Sequence, residues 1–221
     1  MNSLEGAITH IEAITGQEFG EWPGELDLER YRTLKKEQYL NQKGGSKLAR
    51  RIFQKFTKEE ELTSSMYLTK EHAIVIIPKH KKNEFVYIHE CAHAFEKNTW
   101  PRIFDADINE EIMFLKESVN EGIADYLALL KDGPISAERC TELRGEKISK
   151  SMTHYLLFEY ADGPMSDERF KIYSNNKYTL GLALAEVAVA KADSVWEGLD
   201  TLANNPPTTI DEAYEMLEVE E

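Results

Sequence analysis

Two histidines four positions apart, with a glutamate directly after the first, constrain this 221-residue chain more than any other feature. They occur in the stretch HECAH at positions 89–93, inside a segment whose apolar period predicts a helix over 83–97. Four residues advance a helix by about 400°, so His89 and His93 lie on one face, one turn apart. The two imidazoles can therefore bind one metal ion. Glu90, about 100° round the helix, lies beside that ion, where it can take a proton from water.

A purely structural histidine pair is the simpler interpretation of the same helix. Its buried stripe consists of Phe85, Ile88, Ala92 and Phe95. This stripe is expected under both interpretations, and its centre lies about 100° from the histidines, so we expect the histidines to flank the core. Cys91 points away from both histidines and is expected to be a small buried thiol.

A third ligand is expected from the next predicted helix, which begins at Asn109 or at Glu117 and ends near Lys131. On it Glu121 and Asp125 lie one turn apart, so Glu121 can bind the ion while Asp125 accepts the outer N–H of a ligating histidine. Alanines at 124 and 128 would let a neighbouring helix come close, and together with the Glu-x-x-x-Asp spacing they favour Glu121. The competing candidates are Glu110, Glu111 and Glu117. Two imidazoles and one carboxylate suit Zn²⁺, with a fourth position open for water.

With these residues the sequence resembles the gluzincin metallopeptidases, in which His-Glu-x-x-His on one helix is joined by Glu-x-x-x-Asp on a second. The resemblance covers residues 65–131 and implies a zinc-dependent peptidase of the peptidase MA type. It implies that His89, His93 and Glu121 are zinc ligands and that Glu90 is the general base. It also implies that Asp125 accepts a hydrogen bond from a ligating histidine. The spacing of 28 positions between His93 and Glu121 is longer than in thermolysin, which implies an insertion around residues 100–107.

A gluzincin also needs a donor for the oxyanion that develops in the reaction. The stretch Tyr178-Thr179-Leu180-Gly181 is similar to the Tyr-x-x-Gly of aminopeptidase-like gluzincins, which implies that Tyr178 is this donor. A core tyrosine is the alternative interpretation of Tyr178. His154 is the other candidate for the donor.

The expected fold class is α+β and predominantly helical, zincin-like, with a small β-hairpin before the active-site helix and a helical C-terminal subdomain. The hairpin strands are predicted at 65–69 and 73–77. Further helices are predicted at 2–14 or 3–14, 28–40, 47–56, 137–143, 148–160, 167–173, 178–192, 195–203 and 210–217. We expect two regions: a basic helical region over 1–60, and a zincin-like catalytic domain over 61–221 whose helical part begins near 134.

Charge is unevenly distributed along the chain. The formal net charge is −14, which disfavours nucleic acid and anionic lipid as partners, yet residues 30–58 hold ten basic residues against one acid. This basic segment can dock on the acidic remainder of the chain or on an acidic protein partner. The alternative functions are therefore a non-catalytic or regulatory zincin-fold module that binds a partner through 30–58, and a latent enzyme whose first 60 residues cover the cleft. A processing protease similar to the ImmA/IrrE zincins is a further alternative, because Glu121 and Ala124 match their Glu-x-x-Ala pattern.

We expect a cytoplasmic location. The N-terminus carries Glu5 and Glu12 in place of a basic start and an apolar core, and the longest aliphatic run, 73–77, is far shorter than a bilayer crossing. Cys91 and Cys140 alone form no disulfide framework, which fits a reducing compartment.

Overall fold

The structure is a computed structural model that describes residues 3–34, 65–105, 109–130 and 167–217. Within these ranges the longer helices are α1 (Leu4–Thr15), α2 (Glu84–Thr99), α3 (Glu110–Leu129), α4 (Asp167–Ala190), α5 (Val195–Asn204) and α6 (Ile210–Leu217). The strands are β1 (Gly24–Leu26), β2 (Met66–Leu68) and β3 (Ala73–Val75). Residues 28–34 are helical, and 3-10 turns lie at Pro78–His80 and Pro101–Phe104. The predicted α+β, predominantly helical class is therefore confirmed.

The three strands form one small sheet in the order β1-β3-β2. Strands β2 and β3 pair antiparallel with Tyr67 opposite Ile74, which confirms the predicted hairpin. Strand β1 pairs parallel to β3 with Glu25 opposite Ile74. Sequence analysis missed β1, because three residues that pair with a strand about fifty positions away leave no local period to detect. Strand β2 lies at one edge of the sheet, and helix α2 packs against it.

Helix α2 begins and ends where its sequence specifies. Oδ1 of Asn83 accepts a hydrogen bond from the Val86 N–H, and Pro101 follows directly after the cap residue Trp100. Every residue from 87 to 96 is buried, because α1, the sheet and α3 surround the helix. The histidines were expected to flank the core, but they lie inside it with 9% of His89 and 8% of His93 exposed.

Helices α3 and α4 cross with their backbones in contact. A Cβ atom added to Gly122 would lie 2.0 Å from the carbonyl carbon of Gly181, and one added to Gly181 would lie 1.7 Å from the carbonyl oxygen of Ser118. Only glycine fits at either position, because a methyl group would overlap the backbone of the opposite helix. This crossing brings the first described side chains of α4 to the carboxylates of α3.

The remaining helix predictions had mixed outcomes. Helix α1 with its Ser3 cap is confirmed, as are α5, α6 and the earlier of the two starts for α3, which Asn109 caps. The break predicted at 174–177 is wrong, since α4 is continuous from Asp167 to Ala190. Packing of α4 on α3 and α5 outweighs the low helix propensity of the Ser-Asn-Asn stretch at 174–176.

Several predictions fall outside the described residues. They are the helices at 47–56, 137–143 and 148–160, the part of 28–40 after residue 34, and the division near residue 60. His154, Cys140 and most of the basic segment 30–58 lie there too. Among the described helices, none has both the length and the apolar character needed to cross a bilayer.

Candidate metal centre

Three donor atoms from α2 and α3 converge on one point of the buried interior. Nε2 of His89 lies 3.1 Å from Nε2 of His93. Oε2 of Glu121 lies 3.4 Å from each of these nitrogens. Among the described residues these three form the group that can hold a metal ion. The two helices that carry them are those that the sequence predicted.

The size and chemistry of this triangle fit a divalent metal ion. Zinc bonds to nitrogen and oxygen of about 2.0 Å in a tetrahedral site place neighbouring donors about 3.3 Å apart, close to the three separations observed. Oε2 of Glu121 is moreover buried without a hydrogen-bond partner. A buried polar atom left this way costs about 1–3 kcal/mol, so a cation between it and the imidazoles would satisfy it.

Each histidine meets a carboxylate through its other ring nitrogen. Nδ1 of His89 lies 2.9 Å from Oδ1 of Asp125, although not in ideal hydrogen-bond alignment. Nδ1 of His93 lies 3.4 Å from Oε2 of Glu96, which also accepts a hydrogen bond from the Asn120 amide. Such partners leave Nε2 of each ring free to face an ion and raise the basicity of the ligand.

The pKa values of Glu121, His89 and His93 are shifted because imidazoles and carboxylates are buried together. Burial alone would raise the pKa of Glu121, but the imidazoles of His89 and His93 beside its carboxylate outweigh burial and hold that pKa well below its usual range. Burial would likewise lower the pKa of His89, but its contacts with the carboxylates of Asp125 and Glu121 outweigh burial and raise the pKa to about 9. The pKa of His93 is raised for the same reason, by Glu121 and Glu96. Without an ion the three groups therefore form an ion-pair cluster.

Glu90 lies beside the histidines and is 6% exposed. Burial raises the pKa of its carboxyl against the lowering effect of His89 and His93. The backbone of Tyr67 on strand β2 lies close to that carboxylate and has a smaller lowering effect on its pKa. The carboxylate of Glu90 thus lies between the edge strand and the two histidines.

Tyr178 faces the same group from α4. Its ring centroid lies 6.4 Å from that of His89, and its hydroxyl lies close to the Glu121 carboxylate. Burial and the carboxylates of Glu121 and Asp125 raise the pKa of Tyr178, so the hydroxyl keeps its proton. With 36% of the residue exposed, Tyr178 is not a core tyrosine. It lies between the cluster and solvent, where it can donate to a bound molecule.

The structure separates the competing glutamates. Oε1 of Glu111 accepts a hydrogen bond from the Ile210 N–H, and Oε2 of Glu117 lies 3.5 Å from Nζ of Lys177. Neither belongs to the triangle with the histidines. The side chain of Glu110 lies outside the described part of the structure.

Sequence analysis missed three residues around this site. Glu96 could have been found, since it lies three positions after His93 on the same helical face. Asn120 and Lys177 had no such signal, because the contacts they make depend on which helices pack together. Nζ of Lys177 lies 3.0 Å from Oε1 of Glu121.

We expect the metal-free protein to lose stability as pH rises from 6.5 to 9.5. The folded pKa of about 9 for His89 exceeds the value of 6.5 that is usual for histidine, so its contribution to stability is complete below pH 6.5 and is lost as pH passes 9. The loss should be about 3 kcal/mol in unfolding free energy. Urea unfolding of chelator-treated protein at both pH values measures it. The loss should shrink in His89→Gln, and stability that holds or rises would contradict the assignment.

Comparison with known proteins gave no match: no family model, no curated protein and no solved structure is similar to this chain at a significant level.

Proposed function

We propose that the protein is a zinc-dependent peptidase of the gluzincin type. The observation that carries this proposal is the convergence of His89 Nε2, His93 Nε2 and Glu121 Oε2 within 3.4 Å of one another. Two further features support it: His-Glu-x-x-His and Glu-x-x-x-Asp lie on two packed helices, and among the described residues a small sheet with one unpaired edge lies next to them.

Zinc is the ion that this donor set favours. Neutral imidazole nitrogens suit zinc better than they suit magnesium or calcium, which prefer oxygen ligands. Among the described residues the group has three protein donors, and three is the number found in catalytic zinc sites, where structural sites have four. Zinc held there supplies a Lewis acid that lowers the pKa of water towards about 7 and polarises a carbonyl.

The chain's own residues supply the proton transfers. Glu90 takes a proton from the attacking water, whose oxygen bonds to the carbonyl carbon of the scissile peptide. The Tyr178 hydroxyl donates a hydrogen bond to the carbonyl oxygen as its negative charge develops. When the C–N bond breaks, Glu90 returns the proton to the leaving nitrogen, and the products are a carboxylate and an amine.

Strand β2 supports a peptide as the substrate. In the described part of the chain it pairs with β3 on one side, so its other edge has backbone groups that an extended peptide can pair with. Tyr67 on this strand lies close to Glu90. A peptide added along β2 would therefore pass close to the general base.

Tyr178→Phe should lower kcat/KM for peptide hydrolysis by about 10²-fold, because it removes one hydrogen bond to the developing oxyanion. Zinc content should stay at one per chain, since the hydroxyl is not among the three donors. Tyr214→Phe on α6 is the matched control and should retain the wild-type rate. A full rate in Tyr178→Phe would exclude this role.

The proposed activity is tested with the zinc-loaded full chain and a mixture of unmodified peptides. Mass spectrometry should detect cleavage products that are absent after chelation and return when zinc is restored. An unchanged peptide mixture at all time points, with zinc bound, would contradict the peptidase proposal.

A further inference from the structure

Lys177 is the one cation, among the described residues, that contacts the metal-binding group. Its Nζ lies 3.0 Å from Oε1 of Glu121 and 3.5 Å from Oε2 of Glu117, one helical turn away on α3. Its side chain is 18% exposed, and Nζ lies 5.4 Å from the ring centre of Tyr178. The lysine is therefore held between two carboxylates and a ring.

The position of Lys177 follows from the glycine crossing. Lys177 precedes Gly181 by four residues, so both lie on the face of α4 that meets α3. Because Gly122 and Gly181 bring the two backbones into contact, the ammonium reaches the row formed by Glu117 and Glu121. A wider crossing would move it away from that row.

The two oxygens of Glu121 consequently have different partners. Oε2 faces both histidines, whereas Oε1 forms an ion pair with the ammonium of Lys177. A carboxylate can bind a metal through one oxygen or through both, and a second oxygen would occupy a position that substrate or water needs.

We propose that Lys177 is a positioning residue that keeps Glu121 a one-oxygen ligand and thereby keeps a coordination position open. The inference rests on the proposed function. Removing a residue that contacts a metal ligand ordinarily weakens metal binding, but for Lys177 we expect the opposite effect. Loss of Lys177 should strengthen binding, because it removes a repelling cation and frees the second oxygen.

Lys177→Met tests this, since methionine keeps the apolar stem and removes the charge. Zinc affinity, measured by competition with a chelator, should rise about tenfold. The turnover rate with peptide should fall by about 10- to 100-fold. In the Co²⁺-substituted protein the visible absorption should weaken, as expected when a four-coordinate ion gains a ligand. Lys177→Arg, which retains the charge and its donors, should restore all three values towards wild type.

The control for charge alone is Lys191→Met, which should behave as wild type. Lys191 directly follows α4 and lies about 21 Å from Lys177 along the direction of the helix axis, at 1.5 Å per residue. If the Lys177→Met protein does not fold, Lys177→Gln removes the same charge and replaces it in these measurements. A weaker zinc affinity, or an unchanged Co²⁺ spectrum, would overturn the inference while leaving the proposed function intact. A wild-type chain that binds no ion would instead refute the proposed function.

Discussion

Glu90→Gln should retain one zinc per chain and lose peptide hydrolysis by about 10³- to 10⁴-fold. The amide has nearly the shape of the carboxylate but cannot accept the proton of the attacking water. Glu90 is not one of the three donor atoms, so metal binding should survive the substitution. Initial rates with excess zinc, together with elemental analysis of the same samples, measure both quantities.

The choice of variant matters because Glu90 is buried next to the backbone of Tyr67. Glutamine has nearly the volume of glutamate and keeps a carbonyl oxygen, so the local fold is preserved. Glu111→Gln on α3 is the matched control, and it should hydrolyse peptide at the wild-type rate. If Glu90→Gln retained full activity with zinc bound, the assigned base would be wrong.

Gly181→Ala should lower the free energy of unfolding by about 2 kcal/mol, as expected for overpacking of a close contact. Helix propensity alone predicts the opposite sign, a gain of about 1 kcal/mol. The new methyl group would overlap the Ser118 carbonyl oxygen and push α4 away from α3. That displacement would also carry Tyr178 away from Glu121, so activity should fall further than stability alone explains.

Chemical denaturation monitored by circular dichroism measures the stability change. Gly6→Ala, in the first turn of α1 and half-buried, is the matched control for the same chemical change and should cause no comparable loss. A more stable Gly181→Ala protein would show that the helices have room to separate at no cost, and would contradict the account of the crossing.

Local signals predicted the part of the site that lies on α2 and α3. The helical period placed His89 and His93 on one face, and Asn83 and Asn109 cap the two helices that carry the donors. Spacing on α3 likewise placed Glu121 and Asp125 one turn apart, and both contact His89. These relations depend on residues a few positions apart, which the sequence displays directly.

The remaining features depend on how distant segments pack. Strand β1 forms only by pairing with β3, and α4 is continuous because it packs on α3 and α5. Alanines at 124 and 128 were expected to permit the close approach of a helix, and both are buried, but the backbone contact lies at Gly122 and Gly181. That contact places Lys177 on Glu121, which periodicity along one helix cannot reveal.

The central claim is that side chains 89, 93 and 121 hold one divalent ion. Elemental analysis of the full chain, purified after equilibration with zinc and dialysis, tests it most directly. We expect one zinc per wild-type chain, a loss of that zinc in His93→Ala, and its retention in His10→Ala, a histidine on α1 whose Nε2 lies 3.1 Å from the Leu127 carbonyl oxygen. A wild-type chain without zinc, or equal zinc in His93→Ala, would contradict it.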